Sequence, residues 1–325
     1  MLGSLVDLAA NIQESSKIVV LAGAGCSVAS GIPCFRGPNG LLNVKTRNLF
    51  HWNNSSLEEV QNWTLELGCL YFDEIRNKSP NNFHLLLRDL DRQKKLCHIF
   101  TMNIDDLERK AGLKEKITHL HGRISKLRCL SCSKIRGFSI QHVGMIKKGQ
   151  RIYCSCFSKR KRQGKKKPIF VSDVVCYNDP RHNPVSDGVV EHIKELTPDL
   201  FIIAGCSLDP MVKGSIDLVK ILTKKSKKTV FLNIQEPPKW LENSVLFFRG
   251  DIDEICKTLL PSRIIPLENL KSIFDQIRRF KKKKFSKSDL AKLLKNDRPY
   301  LEDGLKILLQ EQKIRAAGNY YTIKN

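Results

Sequence analysis

The chain has 325 residues and 41% hydrophobic content, enough to bury a substantial core as one large domain with attachments. Lys and Arg number 56 against 33 Asp and Glu, a formal net charge of +23. That excess points to an acidic partner, nucleic acid or chromatin, unless it is a solvated lysine-rich surface. No apolar run reaches the roughly 20 residues of a membrane span, and the N-terminus lacks the basic flank and apolar stretch of a signal peptide. The expectation is an intracellular protein with no membrane partner.

Ile18-Val19-Val20-Leu21 reads as a buried strand, and Ala22-Gly23-Ala24-Gly25-Cys26-Ser27 turns the chain toward a helix start whose amides can meet phosphate oxygens. Glycine at such a turn also serves geometry alone. Ser30-Gly31-Ile32-Pro33-Cys34-Phe35-Arg36-Gly37 then adds an aromatic and a cation at a fixed distance. Residues near 38–80, with Trp52 and Trp63, read as a cofactor loop with attached helices, or as a helical insertion packing its tryptophans internally. His98-Ile99-Phe100-Thr101 is another buried strand, ending in Met102-Asn103-Ile104-Asp105-Asp106. A helix follows, with Leu107, Ala111 and Leu113 apolar. Polar residues at such a strand end are placed to meet ligand at the sheet edge. In His119-Leu120-His121-Gly122 the glycine suggests that His121 stands beside open backbone, although alone it reads as a plain surface or core histidine.

Cys129-Leu-Ser-Cys132 and Cys154-Ser-Cys156 are close pairs with 21 residues between them. Such pairs bring four thiolates around one zinc ion, and a closed four-cysteine site leaves no position for water, so the metal is structural. The polar insert between Arg136 and Tyr153 is expected to need that metal to fold. The other seven of the eleven cysteines, Cys26, Cys34, Cys69, Cys97, Cys176, Cys206 and Cys256, lie in or beside apolar runs and read mostly as small core residues.

Pro198 to Gly205 forms a later strand running into Cys206-Ser207-Leu208, and another ends at Asn233. Basic clusters at Lys159–Arg162 with Lys165–Lys167, and at Arg278–Arg279 with Lys281–Lys284, fit nuclear localisation signals. Beyond Pro261, Ile273, Phe274, Ile277 and Phe280 have helical spacing. Ser286 to Asp289 caps a helix with Leu290, Leu293 and Leu294, and a third follows Pro299. Ile314 to Ile323 reads as a hairpin turning at Gly318-Asn319. Three helices and a hairpin resemble a winged-helix module, which contacts nucleic acid, contacts protein, or is a packing appendage.

The glycine turn, Thr101 to Asp105, His121-Gly122, the paired cysteines and the two later strands occur in an order that resembles the sirtuins, the NAD-dependent protein deacylases. The resemblance implies an α/β fold, with a Rossmann-like parallel sheet and a small zinc-binding subdomain. It places NAD along the C-terminal edge of that sheet. The pyrophosphate would lie near Gly23, Ala24 and Gly25, and the adenosine half would face Ser207 and Asn233. The nicotinamide would lie among Asn103, Ile104 and Asp105. Ser27, Ile32, Met102, Gly205, Cys206 and Ile252 would complete the cofactor site. His121 would be general base on a ribose hydroxyl, a task suited to imidazole. Phe35 would exclude water, and Arg36 would position cofactor groups. Val175, Cys176 and Tyr177 would lie in a strand that pairs with substrate peptide. Cys129, Cys132, Cys154 and Cys156 would hold the zinc.

Three positions depart from the family: Cys34 stands for aspartate, Met102 for glutamine and Cys206 for threonine or serine. Each lost hydrogen bond to the cofactor would cost roughly 0.5–1.5 kcal/mol. Tyr177, with the helix carrying Lys213-Gly214, looks like the fungal class I branch that acts on the globular core of histone H3.

The expected organisation is a catalytic domain over 1–262, with the zinc subdomain at about 122–178 inserted, and a basic winged-helix-like module over 263–325. The expected function is nuclear, NAD-dependent deacetylation of histone lysines, releasing nicotinamide and O-acetyl-ADP-ribose. The alternatives are protein ADP-ribosyl transfer and a catalytically impaired chromatin adaptor. A redox Rossmann enzyme ranks last, because hydride transfer has no use for the Asn-Ile-Asp and His-Gly motifs.

Overall fold

The computed structural model describes residues 5–35, 40, 56–156, 167–176, 187–208 and 213–260, and beyond them 284–286, 289, 314–317 and 320–323. The chain divides into two compact units, residues 1–258 and 259–325. Arg36, Tyr177, Trp52, the basic stretches 159–166 and 278–283, and the helical spacing at 273–280 lie outside the described residues.

The first unit is built on a six-stranded sheet: β1 (Ile18–Ala22), β2 (Leu96–Thr101), β3 (Ile117–His119), β7 (Leu200–Ala204), β8 (Lys228–Asn233) and β9 (Leu246–Arg249). Their spatial order is β3-β2-β1-β7-β8-β9, and every pairing is parallel. From β1 the chain winds outward to β2 and β3, then returns to the other side of β1 for β7, β8 and β9. The topological switch therefore falls between β1 and β7, where doubly wound sheets bind ligands. A parallel sheet covered on both faces favours strands that are apolar throughout, and β1 (IVVLA) and β7 (LFIIA) are buried at every residue. On one face Val19, Leu21, Phe201, Ile203 and Phe231 pack against Ile193 of α6 (Asp187–Glu195) and Leu218, Val219 and Leu222 of α7 (Lys213–Lys225).

Between β3 and β7 lies a small antiparallel sheet of β4 (Lys126–Cys129), β5 (Ile135–Gly137) and β6 (Phe170–Ser172), in the order β5-β4-β6. The insert is less polar than its sequence suggests. Leu127, Phe138, Val143, Ile146, Ile152 and Phe170 form a core with Cys129 and Cys154, and Leu65, Cys69 and Phe72 pack against it. Leu65 and Cys69 belong to α2 (Leu57–Leu70), which opens with a Ser56–Glu59 capping pair and also buries Trp63 beside Val60 and Leu67. Trp63 thus packs internally. The helix after Asp105-Asp106 is shorter than expected: α4 spans only Leu107–Lys110, and Gly112 follows at φ +104°.

In the second unit, β10 (Lys284–Ser286), β11 (Ile314–Ala317) and β12 (Tyr320–Ile323) form an antiparallel sheet in the order β10-β12-β11. The hairpin expected at 314–323 is present, whereas three-residue β10 falls where the basic run masks any strand pattern. Ser286 and Asp289 exchange side-chain and backbone hydrogen bonds at the end of β10, the reciprocal pattern of a capping pair.

Candidate active site at the switch

Two strand-to-helix turns cross at the switch. Gly23 N donates to Ala204 O at 2.9 Å, and Gly25 N to Gly205 O at 3.0 Å. A Cβ on Gly23 would stand 2.5 Å from Gly205 O, and one on Gly205, at φ +63°, 2.6 Å from Cys26 N. The glycines thus serve a backbone crossing between the turns, a partner that the sequence does not show. Cys206 turns its thiol into the core, 3.3 Å from Ala204 O and 3.7 Å from Leu21 O. Burial pushes its pKa far above the usual thiol range, as it does for Cys26 and Cys256. The cysteine therefore does not reach the surface over the switch, which is left to backbone, the condition under which a dinucleotide pyrophosphate approaches closely.

The polar residues after β2 close onto the same turn. Asn103 Nδ2 donates to Gly23 O at 3.1 Å and to Ser27 Oγ at 3.3 Å. Ser27 Oγ donates to Asp105 Oδ2 at 2.8 Å, while Asp105 Oδ1 accepts from Leu107 N at 2.9 Å. Asp105 is 3% exposed, and this burial raises its pKa. Beneath them, Thr101 Oγ1 accepts from Asn103 N at 3.1 Å and donates to Glu108 Oε1 at 2.6 Å. Glu108 is fully buried, its other oxygen has no hydrogen-bond partner among the described residues, and desolvation followed by the charge of Asp105 pushes its pKa up to about 8. Asn81 Nδ2 reaches Cys26 O at 2.7 Å and its Oδ1 meets His84 Nδ1 at 2.7 Å, at the start of α3 (Asn82–Arg92). Burial lowers the pKa of His84 to about 3, so its ring is neutral.

Neither Glu108 nor the Asn81–His84 pair was singled out from sequence. Asn81 follows Ser79-Pro80 at the head of an apolar periodic segment, a cap signal that locates the helix but not its tie to Cys26. A glutamate inside a short helix carries no signal of burial.

His121 is half-buried just beyond β3, where Leu120 N donates to Thr101 O at 2.8 Å. Gly122, at φ +70°, is not beside open backbone: a Cβ there would fall 1.9 Å from Asp173 O. The segment after β6 packs on it, and Val175 N donates to His121 O at 2.9 Å. Val175 and Cys176 lie in irregular backbone past β6, not in a strand, with the Val175 amide on the histidine turn. Phe35, Ile104 and Ile32 share a cluster with Ile75 and Leu107. Met102 packs against the main core, and its amide donates to Ala22 O at 2.9 Å. Ala24 and Cys34 are half-buried and Ser207 is exposed. Asn233 spans two turns, with Nδ2 on Cys206 O at 2.9 Å and Oδ1 accepting Ile234 N at 2.8 Å. Ile252 is buried at the start of α9 (Ile252–Leu259).

The four expected metal ligands converge, with all four sulfurs within 4.8 Å of one another. Cys129 and Cys156 are 3.7 Å apart, and Cys132 and Cys154 are 3.8 Å apart. A tetrahedron of thiolates with zinc–sulfur bonds of about 2.3 Å has edges of about 3.8 Å, so the set fits a closed zinc site. Ser131 N supports it from 3.4 Å, donating to Cys129 Sγ.

Comparison with known proteins agrees with this geometry. The model of the Sir2 family matches residues 23–211. The NAD-dependent protein deacetylase hst4 of Schizosaccharomyces pombe is 30% identical over 301 residues, covering 82% of this chain and 72% of the relative. An NAD-dependent protein deacetylase of Thermodesulfovibrio yellowstonii is 29% identical over 253 residues, covering 77% and 91%. Among solved structures, a Sir2 homologue mutant in complex with ADP ribose is 25% identical, with a TM-score of 0.60, over 78% of this chain and 94% of that one. With the family model spanning more than half of its length, this chain belongs to the Sir2 family, the sirtuins.

Proposed function

We propose that this chain is an NAD-dependent protein deacetylase that removes acetyl from histone lysines, histone H3 first, in the nucleus. The observation that carries the reading is one hydrogen-bonded network joining Gly23, Ser27, Asn103 and Asp105 at the sheet's switch, with the His121 segment tied to the same strand end. The deacetylase names of the relatives, the ADP ribose complex of the Sir2 homologue and the convergence of the four sulfurs support it.

Bound at the switch, NAD supplies a glycosidic bond whose cleavage releases nicotinamide and leaves a ribose carbon able to accept the acetyl oxygen. Asn103 and Asp105 orient the carboxamide end, held rigid by Ser27, Gly23 and Leu107 N. His121 takes a proton from a ribose hydroxyl. Phe35, packed against the cluster that contains Ile32 and Leu107, keeps water from the reacting carbon. Ser207 meets the adenosine half, and Asn233 shapes that side through the Cys206 carbonyl that it holds. Arg36 and Tyr177 complete the reading from sequence, as a cofactor-positioning cation and a substrate-facing aromatic. The four cysteines hold a structural zinc.

The test is release of nicotinamide and O-acetyl-ADP-ribose from an acetylated histone H3 peptide with NAD, comparing the wild type with His121→Ala. Product from the wild type alone establishes the deacetylase and its base. ADP-ribose on protein would favour the transferase, and no product on peptide or nucleosome would favour the adaptor.

A second reading concerns the C-terminal unit. The order β10-β12-β11 and the Ser286–Asp289 capping pair support a winged-helix reading, and residues 259–325 carry 16 Lys and Arg against 7 Asp and Glu. It supports contact with DNA or the nucleosome. Deleting residues 271–325 is expected to weaken nucleosome binding and leave peptide deacetylation intact; equal affinity would sink this reading.

A further inference from the structure

Asp106 directly follows Asp105 and adopts φ +65°, the left-handed region that residues other than glycine rarely occupy. It stands at the N-cap position of α4, yet its side chain does not cap that helix. Asp105 takes the Leu107 amide instead. The Asp106 carboxylate turns the other way, accepting from Arg123 Nε at 2.5 Å on one oxygen and from Ser125 Oγ on the other. Between these bonds, Ile124 N donates to Ile104 O at 3.0 Å. Three contacts therefore join residues 104–106 to residues 123–125. The Asp106 and Arg123 side chains are only 10% and 20% exposed, so water screens the pair weakly.

These two stretches are the flanks of the groups to which the proposed reaction is assigned, Asn103 to Asp105 on one side and His121 on the other. Strained backbone persists where its surroundings over-determine it, and such strain gathers at functional sites. We propose that Asp106 is a positioning residue, which with Arg123 and Ser125 clamps the Asn103–Asp105 loop to the His121 turn and fixes the spacing between them. The proposal rests on the roles read for those residues above.

Asp106→Gly separates the clamp from a merely structural role, because glycine relieves the left-handed backbone while deleting the carboxylate. In the zinc-loaded full-length chain, kcat on acetyl-peptide is expected to fall about tenfold through lost alignment. KM for NAD should stay within about twofold, and the thermal midpoint should fall no further than in Arg123→Met, because relief of the left-handed backbone offsets part of the lost pair. Arg123→Met should lose a similar factor, and the double variant no more than the worse single, since both remove one interaction. Asp106→Asn, still able to accept from Arg123 and Ser125, should recover most of the rate. An unchanged kcat in Asp106→Gly, or a fully additive double variant, overturns the clamp. Hydrogen exchange at the Ile124 amide decides it independently of turnover. Faster exchange in Asp106→Gly supports the clamp and equal exchange overturns it. A silent wild type would overturn only the functional reading.

Discussion

The switch and the four-cysteine module lie next to each other in the chain, and their cores are held by opposite means. At the switch the chain holds itself: β1 and β7 are fully buried, and their turns cross with no side chain between Gly23 and Gly205. The module has three short strands and a core of eight buried residues propped on α2. Two of its four sulfur ligands, Cys132 and Cys156, are exposed, so burial alone does not hold that corner. A doubly wound sheet fixes a site by packing, whereas an insert of this size needs a bound ion to close.

The sharpest way to break the comparison is to remove the metal. Chelation, or Cys132→Ser, is expected to destabilise the module by several kcal/mol, since structural zinc binding in small domains is itself folding free energy. Hydrogen exchange should quicken in β4, β5 and β6 well before it does in β1 and β7. Uniform loss of protection would show that module and sheet unfold as one, and no change would remove the metal from the account.

Much of this contrast is legible in the sequence. Continuous apolar runs announce β1 and β7, and the cysteine spacing announces the metal ligands, because both signals are local. What is hidden is what each local feature meets. Gly23 and Gly25 read as a cradle for a ligand, and their immediate partner is the turn after β7. Cys206 reads as a lost polar contact with cofactor, but its thiol is turned inward on Leu21 O and Ala204 O. Glu108 and Asp106 look like ordinary helix-start acids, and only the crossing of β2 with the residues after β3 gives them Thr101, Arg123 and Ser125 as partners. Val175 reads as strand, and the His121 carbonyl takes its amide.

A smaller effect sharpens the comparison at the seam between the regions. Gly122 follows the histidine, and Asp173 directly follows β6, tied to Arg128 at 2.6 Å. The Cβ of Gly122→Ala would fall 1.9 Å from Asp173 O at a φ of +70°. Backbone on both sides leaves no side chain to yield, so a loss of about 3 kcal/mol or more is expected in urea unfolding. Activity should fall further than stability, because the same shift moves His121. A tolerated alanine with full turnover would mean that the seam is pliable and that the histidine turn does not depend on the module.

The smallest effect belongs to the switch and is read through pH. Glu108 has a folded-state pKa of about 8 against an ordinary 4.5, so between those values the folded chain holds a proton that the unfolded chain has released. Its contribution is fully present below 4.5 and is lost as pH rises through 8. Burial holds His84, His98 and His119 far below 6.5, so they are neutral when folded, but the unfolded chain still protonates them near that pH, which gives a rising background that fades towards pH 8. From pH 6.5 to 8, the stability of the zinc-loaded wild type should therefore decline relative to that of Glu108→Gln, by at most about 1.4 kcal/mol per pH unit for one proton. Glu108→Gln keeps an acceptor for Thr101 and cannot ionise, so it should show the histidine background alone. An equal slope in both proteins would mean that Glu108 is ionised when folded. The floor under Asn103 would then be held by a buried charge, and the switch would no longer owe its rigidity to neutral packing alone.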